Sequence, residues 1–141
     1  MPLRIAIFGK HGCDKCKMLQ QRVDKLLASG EWSDFEKSYH DVETEEGLVL
    51  FCRLECANPN RIPALVVMER DAAGVWQPLP RAEPGAPDAV CGASRLYSYI
   101  GLQTDYSGPG KGVISPAMIC AVLEEARAQR AITTGALRAG E

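Results

Sequence analysis

The feature that most constrains the fold is a short apolar segment that leads directly into a pair of cysteines. Residues 3–8 are almost continuously apolar, which is typical of a strand buried on both faces of a sheet. A turn containing Gly9 and Gly12 follows, and Cys13 and Cys16 then stand at the predicted start of a helix. This order predicts a strand, a turn and a helix, with both thiols at the junction.

The remaining pattern predicts a small mixed sheet with helices on both faces. Apolar residues repeat at helical spacing from Leu19 to Leu27, and Ser29-Gly30 ends this first helix. Further elements are predicted as strands at residues 35–42, 64–68 and 75–79, and as helices at residues 44–56 and from residue 115. The order of elements predicts an α/β chain with four strands, which begins with a parallel βαβ unit.

The length of 141 residues fits one domain. We predict a single domain over residues 1–134 and a flexible tail over residues 135–141. Within the domain, residues 80–114 are rich in proline and glycine and form a long irregular insertion before the last helix.

Composition and charge exclude several classes of partner. The net charge is −2, and lysine and arginine are scattered, so nothing favours nucleic acid or an anionic membrane surface. No apolar run approaches the roughly 20 residues that span a bilayer. The short apolar N-terminus has no cleavage site for a secretory signal, and we therefore expect a cytoplasmic protein.

The chain has six cysteines. They are Cys13, Cys16, Cys52, Cys56, Cys91 and Cys120. Without a secretory signal, this number does not indicate a framework of structural disulfides, so catalytic, metal-binding and core roles remain as alternatives.

The position of Cys13 and Cys16 favours redox chemistry. The N-terminus of a helix stabilises negative charge, and Lys10 and Lys17 add positive potential near Cys13, although Asp14 opposes it. Cys16 follows one helical turn later, where it can attack a mixed disulfide formed at Cys13. We predict thiol–disulfide exchange with Cys13 as nucleophile and Cys16 as resolving thiol, while structural zinc sites use the same spacing.

A second motif precedes the third predicted strand. Arg61-Ile62-Pro63 stands directly before residues 64–68, and proline at the start of a strand is tolerated only at special positions. In this topology Pro63 would lie across from the cysteine turn. Arg61 could contact an anionic group of a substrate, or it could be an ordinary exposed arginine.

These motifs resemble a known family. Residues 5–16, Ile-Ala-Ile-Phe-Gly-Lys-His-Gly-Cys-Asp-Lys-Cys, resemble the opening of a glutaredoxin, although glutaredoxins usually carry Pro-Tyr between the cysteines. Ile62-Pro63 resembles the cis-proline loop of the thioredoxin superfamily. The resemblance implies a thioredoxin-like fold and the activity of a thiol–disulfide oxidoreductase.

The same resemblance implies a substrate site. Pro63 would be a cis-proline, and the backbone of Ile62 would pair with a bound glutathione or peptide disulfide. Lys10 matches the glutaredoxin lysine that approaches a carboxylate of glutathione. The implied substrates are protein disulfides or glutathione mixed disulfides, with a reductase or glutathione as electron donor and no resident cofactor.

The role of Cys52 and Cys56 stays open at the sequence level. They share a face of the predicted second helix with Leu48, and the favoured interpretation is two thiols packed in the core. The alternatives are a second redox pair, or a four-cysteine zinc or iron–sulfur site formed with Cys13 and Cys16. With such a four-cysteine site, the chain would be a metal-binding or partner-binding module. Cys120 is predicted to pack on the last helix.

Overall fold

A computed structural model of the protein describes residues 2–55, 62–82, 98–103 and 114–139. The described elements, in chain order, are β1 (Leu3–Gly9), α1 (Asp14–Ala28), β2 (Phe35–Asp41), α2 (Glu45–Glu55), β3 (Ala64–Arg70), β4 (Trp76–Pro78), β5 (Gly101–Gln103) and α3 (Pro116–Ala139).

The strands form one mixed sheet in the order β2-β1-β3-β4, and β5 also pairs with β3. β1 runs parallel to β2 and antiparallel to β3, with Phe8 opposite Ala64. Because α1 connects the parallel pair, the first half of the chain is the βαβ unit that the sequence predicts. The sheet order and the three helices give an α/β architecture consistent with a thioredoxin-like fold.

The fifth strand, β5, lies inside the stretch that the sequence leaves irregular. Among the described residues, β4 pairs with only the end of β3, from Met68 to Arg70, so the backbone at the start of β3 needs another partner. β5 supplies it, with Gly101 opposite Val66. A side chain at residue 101 would collide with the backbone carbonyl of Leu65, so this position needs a glycine, which gives no strand signal in the sequence.

Helices cover both faces of the sheet, as predicted. Alternate residues of a strand point to opposite faces, so Ile5 and Ile7 lie in a different cluster from Phe8. The first cluster, packed against α1 and α3, includes Ile5, Ile7, Leu19, Val23, Leu65, Val67, Ile119 and Leu123. The second cluster, packed against α2, includes Ala6, Phe8, Cys16, Phe51, Ile62, Ala64 and Val66.

The last helix is longer than the sequence predicts. α3 continues to Ala139 and so includes most of the segment predicted as a tail from Gly135. Three alanines, at residues 131, 136 and 139, are the strongest helix formers, and one internal glycine costs only about 1 kcal/mol. The helix therefore passes through Gly135.

An ion pair fastens α3 to the loop before β2. Arg127 Nε donates a hydrogen bond to Asp34 Oδ2 at 2.9 Å. The guanidinium also lies over the Trp32 ring, 4.1 Å from its centroid. The hydrogen bond from Arg127 is the main cause that holds the pKa of Asp34 below its ordinary value of 3.8.

Replacing Asp34 with asparagine should destabilise the protein slightly at neutral pH. Because the folded-state pKa of Asp34 is lowered, the Asp34–Arg127 pair stabilises the protein fully above the unfolded-state pKa. That stabilisation is lost as the pH falls through the folded-state pKa. The side chains of Arg127 and Asp34 are 38% and 39% exposed, so solvent screens the pair. We expect a loss of about 0.5–1 kcal/mol.

Urea unfolding of both proteins checks this, at neutral pH and in acid where the carboxyl is protonated in both states. The difference in the free energy of unfolding between wild type and Asp34→Asn should nearly vanish in acid. An equal difference at both pH values would show that the charge of Asp34 contributes nothing.

Candidate active site

Cys13 caps the N-terminus of α1. Its backbone is extended, and its sulfur accepts a hydrogen bond from the backbone N–H of Cys16 at 3.2 Å. Gly12, with φ of 77°, adopts the left-handed conformation that turns the chain from β1 into the helix. The Cys13 sulfur therefore lies where the unpaired N–H groups and the dipole of α1 stabilise a thiolate.

The two cysteines of this motif form a disulfide, with Cα atoms 5.2 Å apart. Cys13 is half-buried, whereas Cys16 is only 1% exposed. A disulfide on another molecule can approach the first sulfur but not the second. This difference in exposure agrees with the division of roles that we predict for the pair.

A cavity of about 460 Å³ opens beside Cys13. Its lining residues come from the turn after β1, from α1 and from the end of β2, and they are Lys10, His11, Gly12, Cys13, Asp14, Lys17, Gln20, Tyr39 and Asp41. Lysine side chains and carboxylates thus face the same space, so the cavity offers partners to both signs of charge. Lys10, which matches the glutaredoxin lysine named above, is one of the lining lysines.

Two lining residues, Tyr39 and Asp41, were missed by sequence reasoning. The parallel register places Ile7 opposite Tyr39 and Gly9 opposite Asp41, which brings the end of β2 beside the cysteine turn. A signal was available, since ligands of open α/β sheets bind beyond the carboxyl ends of the parallel strands. Burial, followed by the negative charges of Asp41 and Glu43, raises the pKa of Tyr39 above its ordinary value of 10.0.

Ile62 and Pro63 directly precede β3, at the end of the sheet where β1 leads into the cysteine turn. The Ile62–Pro63 peptide bond is cis, and both residues are buried. Ile62 belongs to the same hydrophobic cluster as Cys16. Extending the pairing of Phe8 with Ala64 by one residue sets Pro63 beside the turn that leads to Cys13. Arg61 lies outside the described residues.

The favoured prediction of a core role is wrong for Cys52, which is a free and exposed thiol. α2 turns Phe51 toward the sheet, 5.6 Å from the Phe8 ring, and this leaves Leu48 and Cys52 on the outer face. Cys120 is free and packs partly buried against the core, as predicted.

Cys56 and Cys91 lie outside the described residues. Within the ranges that the structure covers, no three histidine, cysteine or acidic side chains are grouped to hold a metal ion. The four-cysteine site includes Cys56 and therefore stays an untested hypothesis.

No protein-family model matches this sequence, and a search of curated proteins finds no similar chain. In the described part of the chain, no helix is long and apolar enough to cross a membrane. The case for a function therefore depends on the fold and on the geometry around the Cys13–Cys16 pair.

Proposed function

We propose that the protein is a thiol–disulfide oxidoreductase of the glutaredoxin type, which reduces protein disulfides or glutathione mixed disulfides. The main observation in support is the Cys13–Cys16 disulfide at the N-terminus of α1, with Cys13 beside an open cavity. A reversible disulfide at such a place suits exchange because the attacking sulfur is both accessible and stabilised as a thiolate.

The proposed reaction has two exchange steps. The Cys13 thiolate attacks one sulfur of the substrate disulfide, which forms a mixed disulfide and releases the first substrate thiolate. Cys16 then loses its proton to solvent and attacks the Cys13 sulfur. The intramolecular disulfide forms, the second substrate thiolate leaves, and two electrons have passed to the substrate. A thiol reductant, either glutathione or a reductase, returns two electrons to the pair.

The surroundings of Cys13 suggest how a substrate is held. We assign Lys10 to a substrate carboxylate because its side chain lines the cavity that contains Cys13. Asp14 and Asp41 line the same cavity and can accept hydrogen bonds from an ammonium group. Ile62 and Pro63 would border the substrate chain on the other side, and Arg61 would contact an anionic group. Such a site fits a peptide-like ligand that carries charges of both signs.

A redox titration with mass mapping of all the cysteines tests this function. We expect Cys13 and Cys16 to convert together between dithiol and disulfide, and the reduced protein to accelerate reduction of a protein disulfide and of a glutathione mixed disulfide. A pair that forms no disulfide in the titration would refute the proposal. Zinc or iron that is released in stoichiometric amount by thiol modification would instead support the metal-binding alternative.

A further inference from the structure

Gly9, the last residue of β1, leaves a space that Cys16 and Tyr39 share. A Cβ atom at this position would lie 3.0 Å from Cys16 Sγ and 3.0 Å from the Tyr39 hydroxyl oxygen. The sulfur and the hydroxyl oxygen are therefore no more than about 6 Å apart. Gly9 does not have a positive φ, so its missing side chain matters here for space and not for backbone conformation.

The Tyr39 hydroxyl is a hydrogen-bond donor at the pH values at which thiols ionise. Burial, with the charges of Asp41 and Glu43, raises the pKa of Tyr39, so the phenol keeps its proton. A protonated phenol beside a thiolate donates its hydrogen to the sulfur, and hydrogen bonds to charged acceptors are the stronger kind. The ring also lines the cavity that contains Cys13.

Cys16 needs such a donor more than Cys13 does. Cys16 lies in an apolar cluster and is 1% exposed, and apolar burial disfavours a thiolate. The backbone N–H of Cys16 donates its hydrogen bond to the Cys13 sulfur, so this N–H group at the N-terminus of α1 stabilises negative charge on Cys13 and not on Cys16. The resolving step nevertheless requires Cys16 to attack as a thiolate.

We propose that the Tyr39 hydroxyl donates a hydrogen bond to the Cys16 thiolate and thereby promotes the resolving step. The inference depends on the proposed function. Opening of the disulfide frees the side chain of Cys16 to rotate, and the missing side chain of Gly9 leaves the gap to Tyr39 open. Tyr39 keeps its proton throughout, so the balance of the exchange is unchanged: Cys16 bonds to the Cys13 sulfur, and the substrate thiolate leaves.

Other charged groups face this space, from the turn after β1, from α1 and from the end of β2. Those that line the cavity are Lys10, His11, Asp14, Lys17 and Asp41. Glu43 acts on Tyr39 through its charge, and the His40 ring stacks on Phe8 in the cluster around Cys16, with 5.2 Å between the ring centroids. α2 contributes Phe51 to the cluster around Cys16, and that side chain carries no charge. All of these groups remain when only the hydroxyl of Tyr39 is removed, so a comparison with wild type isolates the hydroxyl.

The test compares Tyr39→Phe with the matched control Tyr99→Phe, which removes a hydroxyl from a half-buried tyrosine on another segment. The four cysteines outside the pair are replaced with serine or alanine. Rapid mixing of the reduced protein with an aromatic disulfide that releases a coloured thiolate gives two phases. The first reports attack by Cys13 and the second reports resolution by Cys16.

We expect Tyr39→Phe to leave the first phase unchanged and to slow the second about threefold at neutral pH, because the thiolate fraction falls about tenfold while the more basic thiolate attacks about three times faster. The pH midpoint of the second phase should rise by about one unit, because the hydrogen bond favours the thiolate. Tyr99→Phe should match wild type in both phases. Unfolding curves identify any variant that loses activity by unfolding.

The outcomes separate the two proposals. Absence of the second phase in wild type would refute the dithiol mechanism itself. A normal second phase in Tyr39→Phe, or equal slowing of both phases, would refute the role of Tyr39 and leave the redox pair intact. If the multiple replacement of cysteines does not fold, acid quenching of the native chain and peptide mapping of the mixed disulfide at Cys13 give the same two rates.

Discussion

If the proposed exchange is correct, we expect replacement of Cys13 with serine to abolish disulfide reduction, and replacement of Cys16 with serine to stop the reaction after its first step. A serine hydroxyl is not ionised near neutral pH and cannot attack a disulfide as the thiolate does, so Cys13→Ser should lose at least about a thousandfold in rate. Cys16→Ser keeps the half-buried Cys13 at the N-terminus of α1 and should still form a mixed disulfide there.

Intact mass under non-reducing conditions distinguishes the two variants. Cys16→Ser should gain the mass of one substrate thiol in a single event, and a free thiol in solution should release it. Cys13→Ser should gain no such mass at Cys16, which is buried. Peptide mapping is needed because Cys52 is exposed and can also react. A Cys13→Ser protein that still turns over, or an adduct of Cys16→Ser found at Cys52 and not at Cys13, would contradict the mechanism.

The largest effect on stability is expected for Leu65→Ala. Leu65 is 0% exposed, lies on the central strand β3 and stands between Ile7 of β1 and Leu102 of β5. Truncation removes its buried methyl groups and leaves a cavity, for which we expect a loss of about 2–5 kcal/mol in the free energy of unfolding. The exposed Val75, in the turn before β4, gives a matched truncation that should cost less than about 0.5 kcal/mol.

Denaturant unfolding of the oxidised proteins measures the free energy of unfolding of wild type and of both variants. The exchange rate of folded Leu65→Ala should stay near that of wild type, because Leu65 packs in the cluster against α1 and α3 and Cys16 packs in the other one. A loss of stability below about 1 kcal/mol, or equal effects of Leu65→Ala and Val75→Ala, would show that β3 is not the centre of the core.

The sequence pattern predicts which face of a helix is buried only where apolar residues recur at helical spacing among polar residues. In α1 the apolar residues Leu19 and Val23 recur at helical spacing among polar ones, and both are buried. In α2 the residues from Leu48 to Cys52 are all apolar, so the pattern cannot choose a face. Packing of Phe51 on Phe8 made that choice, and it turned Cys52 outward.

The sequence by itself determined the features that depend on neighbours in the chain. These are the buried strand β1, the turn that ends at Cys13, the start of α1 and the proline before β3, because local propensity and short spacing are enough to specify them. It also placed Cys13 and Cys16 one helical turn apart at a helix N-terminus. The position of the thiol pair in the candidate site was therefore predictable.

Only the tertiary structure decided which distant residues complete that site. Tyr39 and Asp41 reach the cysteines through the parallel register of β1 with β2, and β5 joins the sheet because β4 leaves part of β3 unpaired. Such pairings join segments far apart in the chain, and neither local propensity nor periodicity records them. The physical reason is that a register is chosen by the burial of whole strand faces, which is a property of the assembled sheet.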